Sequence, residues 1–167
     1  HSVYLRIGEG CNNCCTYCAI PLTRGTDRSR NHFEILTEAR NLVSMGAKEI
    51  TVIAQDTSKY GTDLSECYYI QHLLHDISQI EGVKLVRVLY LYPDEITDEL
   101  IEEVARNNMI APYFDIPIQH ASDKILASMN RRGNQDLIRN LVNKIRTKIP
   151  HAIIRTTLIT GFPGETE

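Results

Sequence analysis

Four of the five cysteines in this 167-residue chain fall in one short stretch: Cys11, Cys14, Cys15 and Cys18. The fifth, Cys67, is remote. An odd count packed this tightly makes a poor disulfide framework and points to metal chemistry in a reducing compartment. Cys11, Cys15 and Cys18 form Cys-x3-Cys-x2-Cys. From one loop, three thiolates so spaced can meet one face of a cubane iron–sulfur cluster. Three protein ligands leave the fourth iron open, as catalytic metal sites require. Cys11-x2-Cys14 is also present, and it supports a second reading, four cysteines around a structural zinc or a fully ligated cluster. Adjacent Cys14 and Cys15 turn to one metal only awkwardly, and structural zinc sites usually use two separated ligand pairs.

The elements that must position this loop alternate strand and helix along the chain. Residues 3–7 read as a short strand ending at Gly8, followed by a loop that carries the cysteines to about residue 31. Ile35, Leu36, Ala39, Leu42 and Val43 recur at helical spacing over 33–45, with Gly46 as the stop. Residues 50–54 are a β-branched run of the kind found in buried parallel strands. Ile70, Leu73, Leu74 and Ile77 mark a second helix, and 85–91 a third strand. Thr97 caps a third helix, with Asp98 and Glu99 in its first turn. Residues 113–116 form a fourth strand, Ser122 starts a short helix, 134–148 carry a longer one, and 152–159 form a fifth strand.

Five strands, each but the last followed by helix, predict an α/β fold with a parallel sheet and right-handed crossovers. No polar linker or low-complexity run divides the chain. It stops where a sixth helix is due, so an excised fragment is expected, with elements missing at least on the C-terminal side. In parallel β/α folds, ligands bind at the C-terminal strand ends. Those ends carry the cysteine loop, Gln55-Asp56-Thr57, Tyr90-Leu91-Tyr92-Pro93, Pro117-Ile118-Gln119-His120 and the segment 160–165.

With 43% apolar and 23% charged residues, the composition is that of a soluble globular protein. No run approaches the ~20 apolar residues of a membrane span, so a membrane protein is not expected. The first residues lack the layout of a signal peptide. Net charge is −3, from 18 Lys+Arg against 21 Asp+Glu, which supplies no global basic field for nucleic acid.

Cys-x3-Cys-x-aromatic-Cys directly after a first strand resembles the radical S-adenosylmethionine (SAM) enzymes. Nearly the whole chain is similar to their methylthiotransferase branch. The likeness runs through 10–21, Arg24-Gly25, Arg28-Ser29-Arg30, Ala54-Gln55-Asp56-Thr57, Tyr60-Gly61, Tyr90-Leu91-Tyr92-Pro93, 115–120, Met129-Asn130-Arg131-Arg132 and 155–165. Ala54-Gln55-Asp56, Tyr90-Leu91-Tyr92-Pro93 and Gln119-His120 look like the group that modifies a ribosomal protein, the RimO family. The tRNA-modifying group usually shows Gly-Gln-Asn, Ser-x-His-Pro and Gln-Ser there.

The resemblance implies a partial TIM-like (β/α) barrel of about five parallel strands with flanking helices. Residues 1–167 would be the radical SAM core, without the family's N-terminal cluster domain and C-terminal substrate-docking barrel. It further implies methylthiolation of an aspartate on small-subunit ribosomal protein twelve, driven by reductive cleavage of SAM at a [4Fe–4S] cluster. An electron-donor protein and a cytoplasmic location follow from the same likeness. The alternatives are a tRNA adenosine methylthiotransferase and a non-catalytic metal-binding module.

By the same resemblance, Cys11, Cys15 and Cys18 hold the cluster, and Cys14, where the family usually has another residue, is a bystander or an oxidation liability. Tyr17 is a candidate for the adenine, or it fills the loop. Gln55 and Gln119 are candidate SAM contacts, or satisfied strand-end amides. Arg155, inside an apolar strand, is a candidate for the SAM carboxylate. No residue beyond the cluster ligands is assigned a catalytic role. Two superfamily patterns are imperfect: Gly-Gly-Glu after strand two is replaced by Gln55-Asp56-Thr57, and the glycine-rich motif near strand five has Thr157 for its first Gly. Arg24, Arg28, Arg30, Arg131 and Arg132 read as a solvated basic face or as a receiver for an acidic or ribosomal partner. His120 is a candidate proton carrier or a hydrogen-bonded structural His. Cys67 reads as a packing residue.

Overall fold

A computed structural model describes residues 1–166. The chain runs β1 (Ser2–Arg6), β2 (Gly8–Glu9), α1 (Ile20–Arg24), β3 (Arg28–Ser29), α2 (His32–Ser44), β4 (Glu49–Ile53), α3 (Ile70–Ser78), β5 (Leu85–Val88), α4 (Asp98–Arg106), β6 (Tyr113–Asp115), α5 (Asp123–Ser128), α6 (Gln135–Lys148) and β7 (Ile153–Arg155). β4 is the central strand, paired in parallel with β1 on one side and β5 on the other. Its β-branched run suits that place, because Ile50, Thr51 and Val52 are all buried. β6 and β7 form a second parallel pair. The two sheets join where Ala111 N–H donates to Val86 O and Leu91 N–H donates to Asp115 O. The spatial order is thus β1-β4-β5-β6-β7, an open stretch of parallel barrel wall.

The helices cover one face of this wall with their apolar stripes. Ile35, Leu36 and Ala39 of α2, Leu73, Leu74 and Ile77 of α3, and Leu100 and Ile101 of α4 enter one core with Leu5, Val86 and Phe114. Each of these side chains larger than Ala39 contributes about 1.5–3 kcal/mol of burial. Asn31, Thr97 and Asn134 accept hydrogen bonds from the first-turn N–H groups of α2, α4 and α6. Those caps set where the helices start, and so the direction in which each βα loop leaves the sheet. The five parallel strands and their flanking helices match the α/β expectation. No described helix is long and apolar enough to cross a membrane.

Three local departures bear on the site. The segment 8–31 is not a plain loop, since β2 and β3 pair antiparallel, Gly8 with Ser29 and Glu9 with Arg28, and α1 lies between them. A two-residue ladder of Gly-Glu against Arg-Ser has no apolar alternation by which to be seen in sequence. β5 ends at Val88 rather than near Leu91, because Tyr90 turns left-handed at φ 62°. Cys67 is exposed and does not pack into the core. It lies in the polar stretch ahead of α3, outside the apolar stripe that begins at Ile70.

Candidate active site

The cysteine loop is held at several points. Its base is the β2–β3 ladder, reinforced by Cys11 N–H donating to Gly25 O (3.1 Å) and Asp27 N–H to Asn12 Oδ1 (3.1 Å). Near its start, Asn13 Nδ2 donates to Asp56 Oδ2 at 2.8 Å, at the end of β4. Its far side is tied to the end of α5: Thr16 N–H donates to Met129 O, the Thr16 hydroxyl to Ser128 O, and Asn130 Nδ2 to Cys14 O. A turn, Cys18 N–H to Cys15 O at 3.0 Å, sets the separation of the last two thiols.

Within this frame Cys11, Cys15 and Cys18 are half-buried and border one cavity of about 470 Å³. The Cys11 sulfur accepts Asn13 N–H at 3.4 Å and the Cys18 sulfur accepts Ile20 N–H at 3.5 Å. Such N–H···S bonds are among the levers that tune iron–sulfur sites. Burial pushes the Cys11 thiol up, with the Asn13 N–H acting against it. Cys14 faces the other way: it is exposed, with its sulfur 3.8 Å from Asn12 O. Among the described residues, no three His, Cys, Asp or Glu side chains converge closely enough to hold a single metal ion. The three thiols border a space instead. Three soft thiol donors on one cavity are the donor set that iron–sulfur clusters take.

Tyr17, Gln55 and Gln119 line the same cavity, with Tyr90, Tyr92 and Pro117 completing much of the wall. Burial pushes the Tyr17 hydroxyl up, so the ring stays neutral. Its edge meets Phe162 at 6.5 Å between centroids, linking the cysteine loop to the last strand's loop. Arg155 stands outside the cavity lining. It donates to Asp115 Oδ1 at 2.8 Å, while Asp115, wholly buried at the end of β6, also accepts Tyr90 N–H. His120 accepts Ser122 N–H at Nδ1 (2.9 Å), so its proton sits on Nε2, which faces Glu165 Oε1 at 3.2 Å. Glu165 in turn takes Gly161 N–H and Phe162 N–H. His120 is therefore a clasp on the 161–165 turn.

Arg24, Arg28 and Arg132 are exposed, as a solvated face would have them, but three of the five basic residues also meet acids. Arg24 pairs with Glu9 and Arg30 with Glu38, while Arg28 donates to Arg24 O. Arg132 pairs with Asp94 and Glu95. Arg131 goes inward, into the cavity lining.

Two contributors escape a reading of the sequence alone. Asp56 is 4% exposed. Burial raises its pKa, opposed by hydrogen bonds from Ser58 and Asn13. Ser58 Oγ also accepts Tyr92 N–H, so one carboxylate links the cysteine loop to the strand-three end. Its signal was an acid directly after a β-branched run, where burial is expected. Arg131 sits in a polar run, and nothing in its spacing tells inward from outward.

The chain matches the model of the radical SAM superfamily over residues 5–167. It is 56% identical over 164 residues to the ribosomal protein uS12 methylthiotransferase RimO of Alkaliphilus oremlandii, covering 98% of this chain and 37% of that protein. Its identity to the protein of that name from Clostridioides difficile is 52% over 167 residues, covering all of this chain and 38% of that protein. The chain thus spans less than two-fifths of these relatives' length. In fold it is similar to TsrM of Kitasatospora setae, a radical SAM methyltransferase solved with cobalamin and a [4Fe–4S] cluster (TM-score 0.75, 15% identity, 98% of this chain and 32% of that one). It is also similar to the cobalamin-dependent radical enzyme OxsB (TM-score 0.76, 12% identity, 95% and 24%). A three-cysteine loop opening on the C-terminal strand ends, the parallel half-barrel behind it and a match over almost every residue agree: this chain belongs to the radical SAM superfamily.

Proposed function

We propose that residues 1–167 are the catalytic core of a radical SAM methylthiotransferase acting on an aspartate of ribosomal protein uS12. The observation that carries this reading is the placement of Cys11, Cys15 and Cys18 on one cavity, with Cys14 turned away. The relatives supply the reaction and substrate class. Their greater length leaves room for an N-terminal cluster domain and a C-terminal docking barrel outside this core. An external electron-donor protein and a cytoplasmic setting belong to the same reading.

Cys11, Cys15 and Cys18 would hold a [4Fe–4S] cluster, leaving one iron for SAM. When bound, the cluster supplies the electron that cleaves the SAM sulfonium bond, so that a C–H bond of the substrate can be methylthiolated. The chain's own residues orient and enclose. Tyr17 offers a ring for the adenine, and the Gln55 and Gln119 amides offer donors and acceptors to the ribose and amino acid of SAM. Tyr90, Tyr92 and Pro117 keep water from the cavity wall. Asp56 holds Asn13, and with it the loop between the first two ligands. Arg155 neutralises the buried Asp115 and so braces the strand ends.

Anaerobic reconstitution tests the core. About four irons and four sulfides per chain, with spectra perturbed by SAM, are expected. One tightly bound zinc with no cluster would overturn the reading. The longer protein carrying this core, assayed on uS12 and on tRNA, decides the substrate, with methylthiolated uS12 expected and modified tRNA adenosine alone refuting it.

A further inference from the structure

Arg131 is the one cation among the described residues that line the cavity. Its place is over-determined. The backbone just before it is tied to the cysteine loop through Ser128, Met129 and Asn130, and Arg131 N–H donates to Leu126 O. Asn130 turns left-handed at φ 53° just past the end of α5, a conformation that asparagine accepts more readily than other L-residues and that stops the helix there. The guanidinium lies over the Tyr92 ring, 4.1 Å from its centroid, and one Nη donates to Pro117 O at 2.6 Å. The other Nη reaches Cys15 Sγ at 4.0 Å. Stacking and a carbonyl bond use the planar fork as lysine cannot, and they leave its charge facing a thiol.

We infer that Arg131, held against Cys15 and Tyr92, is a positioning residue that keeps a fixed positive charge beside the iron–sulfur cluster and makes it easier to reduce. The inference rests on Cys15 being a ligand. Reduction adds one negative charge to the cluster, taken as one electron from an external donor, and no bond to Arg131 forms or breaks. Hydrogen bonds and charge near the sulfurs are established levers on such potentials. A unit charge one contact away, in a half-buried wall where salt screens it less than at the surface, supports an effect of about tenfold on the reduction equilibrium. For a one-electron couple that is about 59 mV.

The test is a dithionite titration of the cluster-loaded chain without SAM, followed by electron paramagnetic resonance. Arg131→Met, which keeps bulk against Tyr92, is expected to shift the midpoint potential negative by about 59 mV. Arg131→Lys should keep most of the wild-type potential, and Arg132→Gln, outside the cavity and paired to Asp94 and Glu95, all of it. Unchanged potential in a loaded Arg131→Met chain overturns the inference. So does an Arg131→Met effect confined to SAM affinity, which would make the residue a carboxylate holder. Cluster loss in Arg131→Met with full loading in Arg131→Lys at an altered potential also overturns it, because the residue is then a scaffold. Failure of the underlying reading is distinct: the wild-type chain itself takes up no cluster.

Discussion

Gly10 stands where the β2–β3 ladder opens into the cysteine loop, and Gly10→Ala tests whether that neck sets the first ligand. Its φ is +83°, and a Cβ built there lies 2.0 Å from Thr26 O and 2.7 Å from Gly25 O. Gly25 offers the internal control, since at φ +76° an added Cβ meets nothing within 4 Å. Both substitutions put an L-residue at positive φ, and Gly25, at ψ −161°, lies in a region that glycine almost alone adopts, so the control itself carries about 1–3 kcal/mol of backbone strain. Only Gly10→Ala must also push the 25–26 backbone away by more than an ångström. That breaks Cys11 N–H to Gly25 O, about 1 kcal/mol, and strains the adjoining ladder. We therefore expect Gly10→Ala to cost at least about 1 kcal/mol more than Gly25→Ala, measured as urea midpoints of the cluster-free chain at constant m-value. Iron incorporation should fall with Gly10→Ala and hold with Gly25→Ala. Equal losses in the two variants, or full incorporation by Gly10→Ala at its expected destabilisation, would refute the idea that this neck positions Cys11.

Cys15→Ala should abolish cluster incorporation and Cys14→Ala should leave it intact; the reverse, read from iron and sulfide content, means that the ligand register is wrong. Asp27 is raised to about 6 by burial, then by Asp63 and Asp56. The folded chain therefore holds a proton that the unfolded chain loses between about pH 4 and pH 6, so stability falls as pH rises through that window. Asp27→Asn should flatten this slope. The full shift is worth about 3 kcal/mol, but Asp27 is only half-buried, and screening brings the expected gain at neutral pH to about 1 kcal/mol; an Asp27→Asn chain with the same difference in stability from wild type at pH 4 and pH 7 would contradict it. Leu73→Ala, in the fully buried stripe of α3, should cost about 2–5 kcal/mol in thermal or urea unfolding; a loss under about 1 kcal/mol would mean that this face is not the core.

The barrel wall was legible because its residues obey one period at a time. Ile50 and Val52 belong to a short β-branched run and Val86 and Phe114 to short segments rich in strand formers, while Leu73, Leu74 and Ile77 recur as a helix face must. The spacing of Cys11, Cys15 and Cys18 was legible for the same reason, in that local chain geometry decides which thiols can meet. What was not legible depends on contacts between distant segments. Asp56 holds Asn13 across 43 positions, and Arg131 reaches Cys15 across 116. No local period records such pairs. The basic residues were legible only in part for a related reason: exposure is the usual fate of Arg, and Arg24, Arg28 and Arg132 follow it, but only the folded chain shows that Arg24, Arg30 and Arg132 each meet an acid and that Arg131 turns into the cavity.

The non-glycine residues at positive φ among those described, Tyr90, Gln119 and Asn130, say where the fold gives up local comfort. Tyr90 and Gln119 line the cavity, and Asn130 precedes Arg131, which does. Each follows an element that would otherwise run on: Tyr90 after β5, Gln119 after β6, Asn130 after α5. A left-handed residue turns the chain sharply, so these ends bend round the cavity instead of continuing past it. Each turn is held from both sides. Tyr90 O accepts from the Thr57 backbone and hydroxyl, Gln119 exchanges backbone bonds with Thr157 and Ile159, and Asn130 bonds Cys14 O. At about 1–2 kcal/mol apiece, Tyr90 and Gln119 cost a noticeable share of a domain's 5–15 kcal/mol of stability, while Asn130, an asparagine, costs less. Glycine would relieve that strain but would also loosen the turn and remove a side chain from the site. The strain therefore falls on the residues that shape the thiol-bordered cavity, as expected of a site whose geometry matters more to the molecule than its last increments of stability.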